Sequence, residues 1–102
     1  MDKKAFDTLS ETIFYVLMAF DKSDIYGTKI AKFIKSLTKG RVRIGPGTLY
    51  TILGSFQKEK LIEKKSQEGR KITYSITEKG RQIYIDEINR LEKCLRDSGR
   101  CK

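Results

Sequence analysis

The stretch GPGTLYTILGSFQKEKLI, from Gly45 to Ile62, constrains the chain more than any other, because it fixes where a helix begins and which side of it is hidden. Proline in the first helical position lacks only an N–H that would be unpaired anyway, and its φ is preset near the helical value. A helix therefore starts at Pro46. Leu49, Ile52, Leu53 and Phe56 recur at the i, i+3, i+4, i+7 spacing of one buried stripe, which leaves Gly47, Thr48, Thr51, Gly54, Ser55 and Lys58 on the other side. That outer side is small, hydroxylic and basic, with no acid before Glu59. Such a face approaches a large anion without steric or charge repulsion, and is read as a DNA recognition helix.

The 102 residues make one domain with a modest core, for which oligomerisation would be a help. Lys and Arg number 22 against 13 Asp and Glu, and the net +9 attracts nucleic acid or an anionic membrane. The membrane lacks a vehicle: no apolar run approaches the roughly 18 residues of a span, no secretory signal precedes the first helix and no lipidation motif closes the chain. A cytoplasmic location is expected. With no His, no nucleophile motif, no phosphate-binding glycine loop and no paired carboxylates, an enzyme is not expected, and nothing calls for a cofactor or a metal. Cys94 and Cys101 are too few and too close for a disulfide framework; they are either idle or a thiol pair sharing a helix face.

Toward the N-terminus, Leu9, Ile13, Val16, Leu17 and Phe20 form the stripe of a helix from about Lys4 to Phe20, in which Thr8 and Glu11 offer an internal capping box. Phe6, Phe14 and Met18 widen its apolar surface, so it meets either one core or a core and a partner subunit. A second helix is predicted from Ile25 to Leu37, with Ile30, Phe33, Ile34 and Leu37 inward and Lys29, Lys32 and Lys35 outward. Between Thr28 and Gly45 stand six basic residues, Lys39, Arg41 and Arg43 completing the set, and no acid. In a helix-turn-helix the leading helix crosses the phosphate backbone, which gives Tyr26, Lys29 and Arg43 a phosphate-contacting role beside Tyr50. Arg41 and Arg43 alternate with Val42 and Ile44 as in a short strand.

Beyond the recognition helix, a strand from Leu61 to Lys65 and a second through Ile72, Tyr74 and Ile76 are joined by a turn containing Gly69. The pair is a wing that must lie on the helices for its stability, with Arg70 and Lys71 at its tip suited to a minor groove or a phosphate. Thr77 caps a last helix in which Tyr84, Ile88, Leu91 and Leu95 follow the 4-3-4 spacing of a coiled-coil seam. A three-helix winged domain does not require this helix for its own core, and a two-fold dimer is the use expected for it. The fold class is thus α+β and mainly α: a winged helix-turn-helix domain over residues 1–77 and a dimerisation helix with a frayed tail over residues 78–102.

Three separated motifs resemble one family. Pro46-Gly47-Thr48-Leu49-Tyr50 with Leu53, Phe56 and Leu61-Ile62 resembles the PGTLYxxLxxLxxxGLI signature of PadR-type winged-helix transcriptional regulators. Ile25-Tyr26-Gly27 through Ile30 resembles the YGxxI helix start, and Gly69-Arg70-Lys71 through Tyr74 to Gly80 resembles the GRxxxYxLTxxG wing. Lys60 stands where the signature has Gly, and Phe56 where Leu is commoner. The resemblance implies a homodimeric repressor on double-stranded DNA at an inverted repeat, with dimer contacts through Phe6, Phe14, Tyr84, Ile88, Leu91 and Leu95. It implies either a small aromatic effector bound among Phe14, Met18, Tyr84, Ile88 and Glu92, or interface packing by the same residues. The alternatives are a winged helix that binds protein or RNA and a thiol-based redox- or metal-responsive regulator using Cys94 and Cys101.

Overall fold

The first helix starts later than its apolar residues suggest. In the computed structural model, which describes residues 9–100, α1 spans Glu11–Lys22. Ser10 caps it by accepting the Ile13 N–H at 3.2 Å, and Glu11 places an acid in the first turn. Leu9, just ahead of the cap, is buried without being helical. Within the described residues the helix thus begins at Glu11 and does not run on unbroken from Lys4. Phe6 and Thr8 themselves lie outside the described residues.

The second helix is also shorter than expected. Ile25–Tyr26 form β1, which pairs antiparallel with Tyr74 and Thr73 of β3 (Lys71–Ile76), and α2 then spans Gly27–Leu37 with Tyr26 as its N-cap. Ile30 and Ile34 are fully buried. Leu37, expected inward, is 51% exposed because the chain reverses directly after it. Lys39 and Gly40 take left-handed φ values of 53° and 82°, and the Gly40 N–H closes the helix onto the Lys35 carbonyl at 2.8 Å. The strand expected over Arg41 to Ile44 is a turn: the Thr38 hydroxyl accepts the Val42 N–H at 3.0 Å, and Val42 is buried as a single anchor.

That turn delivers α3, Pro46–Lys58, with Gly45 at its N-cap and Leu49, Leu53 and Phe56 buried. Lys60, where the family signature has Gly, takes a left-handed conformation at φ 62°, while the Leu61 N–H bonds the Phe56 carbonyl at 2.8 Å. A side chain there costs about 1–2 kcal/mol relative to glycine. β2 (Ile62–Glu68) and β3 then form a hairpin through Gly69, φ 61°, and Arg70. Both strands reach further toward the tip than the apolar alternation indicates, since the residues there are solvated on both faces. Lys65 is the extra residue of a bulge and pairs with Asp24, and the sheet order is β1-β3-β2.

α4 spans Glu78–Asp97, with the Thr77 hydroxyl accepting the Gly80 N–H at 3.1 Å. Its first half belongs to the core, contrary to the expectation that the winged domain has no need of it. Tyr84 is buried and stacks on Phe14 of α1, ring centroids 5.4 Å apart at 28°. The seam then rises out of the protein, from Tyr84 at 6% exposure through half-buried Ile88 to Leu91 at 39% and Leu95 at 53%.

Glu87 is the one charged residue buried among those described, at 4% exposure. Arg90 holds its carboxylate by two bonds of 2.8 and 2.6 Å, and the backbone of Leu9 adds another, so α4 is fastened to the start of α1. The Arg90 bonds hold the Glu87 carboxyl below its ordinary value, against the opposing effect of burial. A depressed carboxyl contributes stability that is present above the unfolded pKa, about 4.3, and is lost as pH falls through the folded value. Glu87→Gln is expected to lower the thermal midpoint by about 5–10 °C at pH 7. Its midpoint and that of the parent converge only once the pH has fallen below the depressed folded value, both being followed by circular dichroism.

Candidate nucleic-acid interface

The turn of α3 away from the core carries the residues that the periodicity assigned to it. Gly47, Thr48, Tyr50, Thr51, Gly54, Ser55 and Lys58 are all exposed. Gly47, Thr51, Gly54 and Lys58 follow an i, i+4, i+7, i+11 line, the crest of the helix opposite Leu49, Leu53 and Phe56. A Cβ built on Gly47 or Gly54 would meet nothing within 4 Å. Glycine inside a helix costs up to about 1 kcal/mol relative to alanine. Neither glycine is required by the packing, so what they leave is an unobstructed approach to the backbone.

Beside the crest the fold closes a cleft of about 250 Å³ between the start of α2, α3 and the wing. Tyr26, Tyr50, Arg70 and Lys71, brought in by three different elements, line it together with Thr28 and Tyr74. Lys71 sits with its ammonium 4.7 Å from the centre of the Tyr26 ring. Tyr50 is 65% exposed, a large ring held out rather than packed. α2 begins here with no side-chain cap and no acid in its first turn, so its N-terminal N–H groups and positive dipole end are open toward the cleft. Thr28 adds a hydroxyl to this uncapped first turn.

Lys29 and Arg43 are exposed but do not line the cleft; Arg43 lies back along its own turn, donating from Nε to the Gly40 carbonyl at 3.3 Å. Arg41 leaves the basic run altogether. It donates to Glu11 at 2.5 Å and to the Tyr15 hydroxyl at 3.0 Å, tying the turn before α3 to α1, and Glu11 is the chief cause of its raised pKa. Six cations in the segment thus include one already neutralised.

On the opposite side, Phe14, Met18 and Ile88 are half-buried against the core, and Glu92 is exposed. The stacked pair of Phe14 and Tyr84 is packed into the core, Tyr84 being buried. Cys94 is exposed with the Arg90 guanidinium 3.8 Å from its sulfur, and Cys101 lies outside the described residues. Among the described residues no cluster of three or more His, Cys, Asp or Glu is placed to hold a metal, and no helix is long and apolar enough to cross a membrane.

Residues 16–85 match the family described as Transcriptional regulator PadR-like family. Over 77 residues the chain is 33% identical to Transcriptional regulator YqjI of Escherichia coli (strain K12), a match covering 76% of this chain and 37% of that one. The chain thus spans little more than a third of this curated relative. Among solved structures, a transcriptional regulator from Clostridium thermocellum superposes with a TM-score of 0.74 at 25% identity, over 85% of this chain and 88% of that one. RosR of H. salinarum gives 0.69 at 22% identity, over 92% and 80% of the two chains. The zinc-responsive MarR family member ZitR of Lactococcus lactis gives 0.66 at 21% identity, over 97% and 65%. The last two share the fold.

Proposed function

The chain belongs to the PadR-like family of transcriptional regulators, and from that premise we propose that it is a dimeric repressor that binds an inverted-repeat operator in double-stranded DNA. The observation that carries this reading is the open crest of α3 flanked by the cleft of Tyr26, Tyr50, Arg70 and Lys71. In this reading the crest enters the major groove, where Gly47 and Gly54 permit close approach and Thr48, Thr51, Ser55 and Lys58 meet base edges. Phosphates are held by Tyr26, Lys29, Arg43 and Tyr50, and the wing tip, Arg70 with Lys71, follows the backbone or enters the adjacent minor groove.

Residues 1–77 carry the DNA face. The part of α4 beyond Ile88 serves the dimer, in which Leu91 and Leu95 are covered by the partner's copy. Phe14, Met18, Ile88 and Glu92, lying over the buried Tyr84, are where a small aromatic effector releases the repressor; its binding would appear as a ligand-dependent rise in thermal midpoint.

Fluorescence anisotropy and footprinting test the main claim. Binding to duplex should weaken steeply with salt, the logarithmic slope being about −0.9 per phosphate neutralised. Footprinting should reveal two protected half-sites with centres about 34 Å apart, one turn of DNA. Binding indifferent to salt, preference for single-stranded RNA, or protection of one unrepeated site would contradict it.

A further inference from the structure

Thr51 occupies the middle of the α3 crest, between two glycines that present no side chain at all. Along that line Thr51 is the first side chain beyond the bare backbone of Gly47. Its hydroxyl is already committed: Oγ1 donates to the carbonyl of Gly47, one turn back, at 3.0 Å. A threonine so bonded has spent its only O–H donor on its own helix. What it keeps for a partner is the γ-methyl and an oxygen that can only accept.

In the major groove, apolar contact is offered by one base, since thymine alone bears a methyl group at C5. We propose that Thr51 makes the chain select thymine at one position of each operator half-site, reading the 5-methyl group through its own methyl rather than through its hydroxyl. This rests on the placement of α3 in the major groove proposed above. It replaces an undirected hydroxyl, which pairs with donors and acceptors alike, by an apolar reader with a single preferred partner. Thr48 and Ser55, which lie to one side of the crest, are left to the polar edges of neighbouring bases.

The test uses duplexes that the full chain enriches from a random pool, with the thymines of each half-site replaced one at a time by deoxyuridine. At one position per half-site the replacement should weaken binding by the parent protein about fivefold, the free energy of one buried methyl. Thr51→Val keeps a γ-methyl and discards the oxygen; whatever its affinity for the thymine duplex, it should remain sensitive to deoxyuridine at the same position as the parent. Thr51→Ser keeps the hydroxyl and discards the methyl; it should bind the thymine duplex about fivefold more weakly and be indifferent to deoxyuridine. Both variants alter one exposed side chain, so neither threatens the fold. An enriched duplex that tolerates deoxyuridine everywhere, or a valine variant indifferent to deoxyuridine, would overturn the role of Thr51 and leave the groove placement standing. A parent protein that enriches no duplex would overturn the groove placement and this proposal together.

Discussion

Gly80→Ala lowers the thermal midpoint by about 10–25 °C, the consequence of roughly 2–4 kcal/mol of overpacking in a domain of this size. Alanine in the first turn of a helix ordinarily stabilises it, so the sign of this change is set by what surrounds the position. A Cβ there would lie 2.2 Å from the Leu61 carbonyl oxygen and 3.0 Å from Cγ1 of Ile76. The obstacle is backbone that cannot swing aside. That carbonyl is fixed by the Thr77 N–H at 2.9 Å and the Thr77 hydroxyl at 3.1 Å, and Leu61 itself is fully buried. Relief requires α4 to lift away from the wing, which loosens Tyr84 and the Glu87 fastening further along the same helix. Calorimetry of the variant checks it; an unchanged midpoint would mean that α4 does not dock as closely as described.

The second large effect concerns the outer half of α4. Leu91→Glu combined with Leu95→Glu should leave the monomer folded, because both leucines stand outside the buried core at 39% and 53% exposure. The dimer should be lost, since each seam would bring like charges together across its axis. Operator affinity should then fall by about 100-fold or more, because two half-sites bound through one linked pair of readers gain that much from effective concentration. Sedimentation equilibrium reports the first part as a change from twice 11.8 kDa to once that mass, and anisotropy reports the second. A parent protein that sediments as a monomer, or a double variant that still dimerises, would remove α4 from this role.

The elements that were legible in the sequence are those that local chemistry decides. Pro46 sets the start of α3, Thr77 caps α4, and Lys60 takes the left-handed position that its place after α3 demands. The exposed crest of α3 follows from the same periodicity that marks Leu49, Leu53 and Phe56 as core. What could not be seen depends on partners distant in the chain. β1 is two residues long and doubles as the approach to α2, so its strand character comes from pairing with Thr73 and Tyr74 rather than from any pattern of its own. Arg41 looks like another free cation until Glu11 and Tyr15 are brought to it, and Glu87 looks like a solvated acid until Arg90 and Leu9 enclose it. Likewise the cleft shared by Tyr26, Tyr50, Arg70 and Lys71 exists only once the wing has folded against the two helices.

The central claim is that the crest of α3 is kept bare for a groove, and the operator affinity of Gly54→Ala tests it most directly. No atom lies within 4 Å of the added Cβ, so packing offers no reason for a penalty. Removing a mid-helix glycine should instead raise stability by up to about 1 kcal/mol, a gain of about 4–8 °C in thermal midpoint. Operator affinity should nevertheless fall about tenfold or more, because the new methyl intrudes where helix and bases must meet. A variant that is more stable and binds its operator as tightly as the parent would contradict the account.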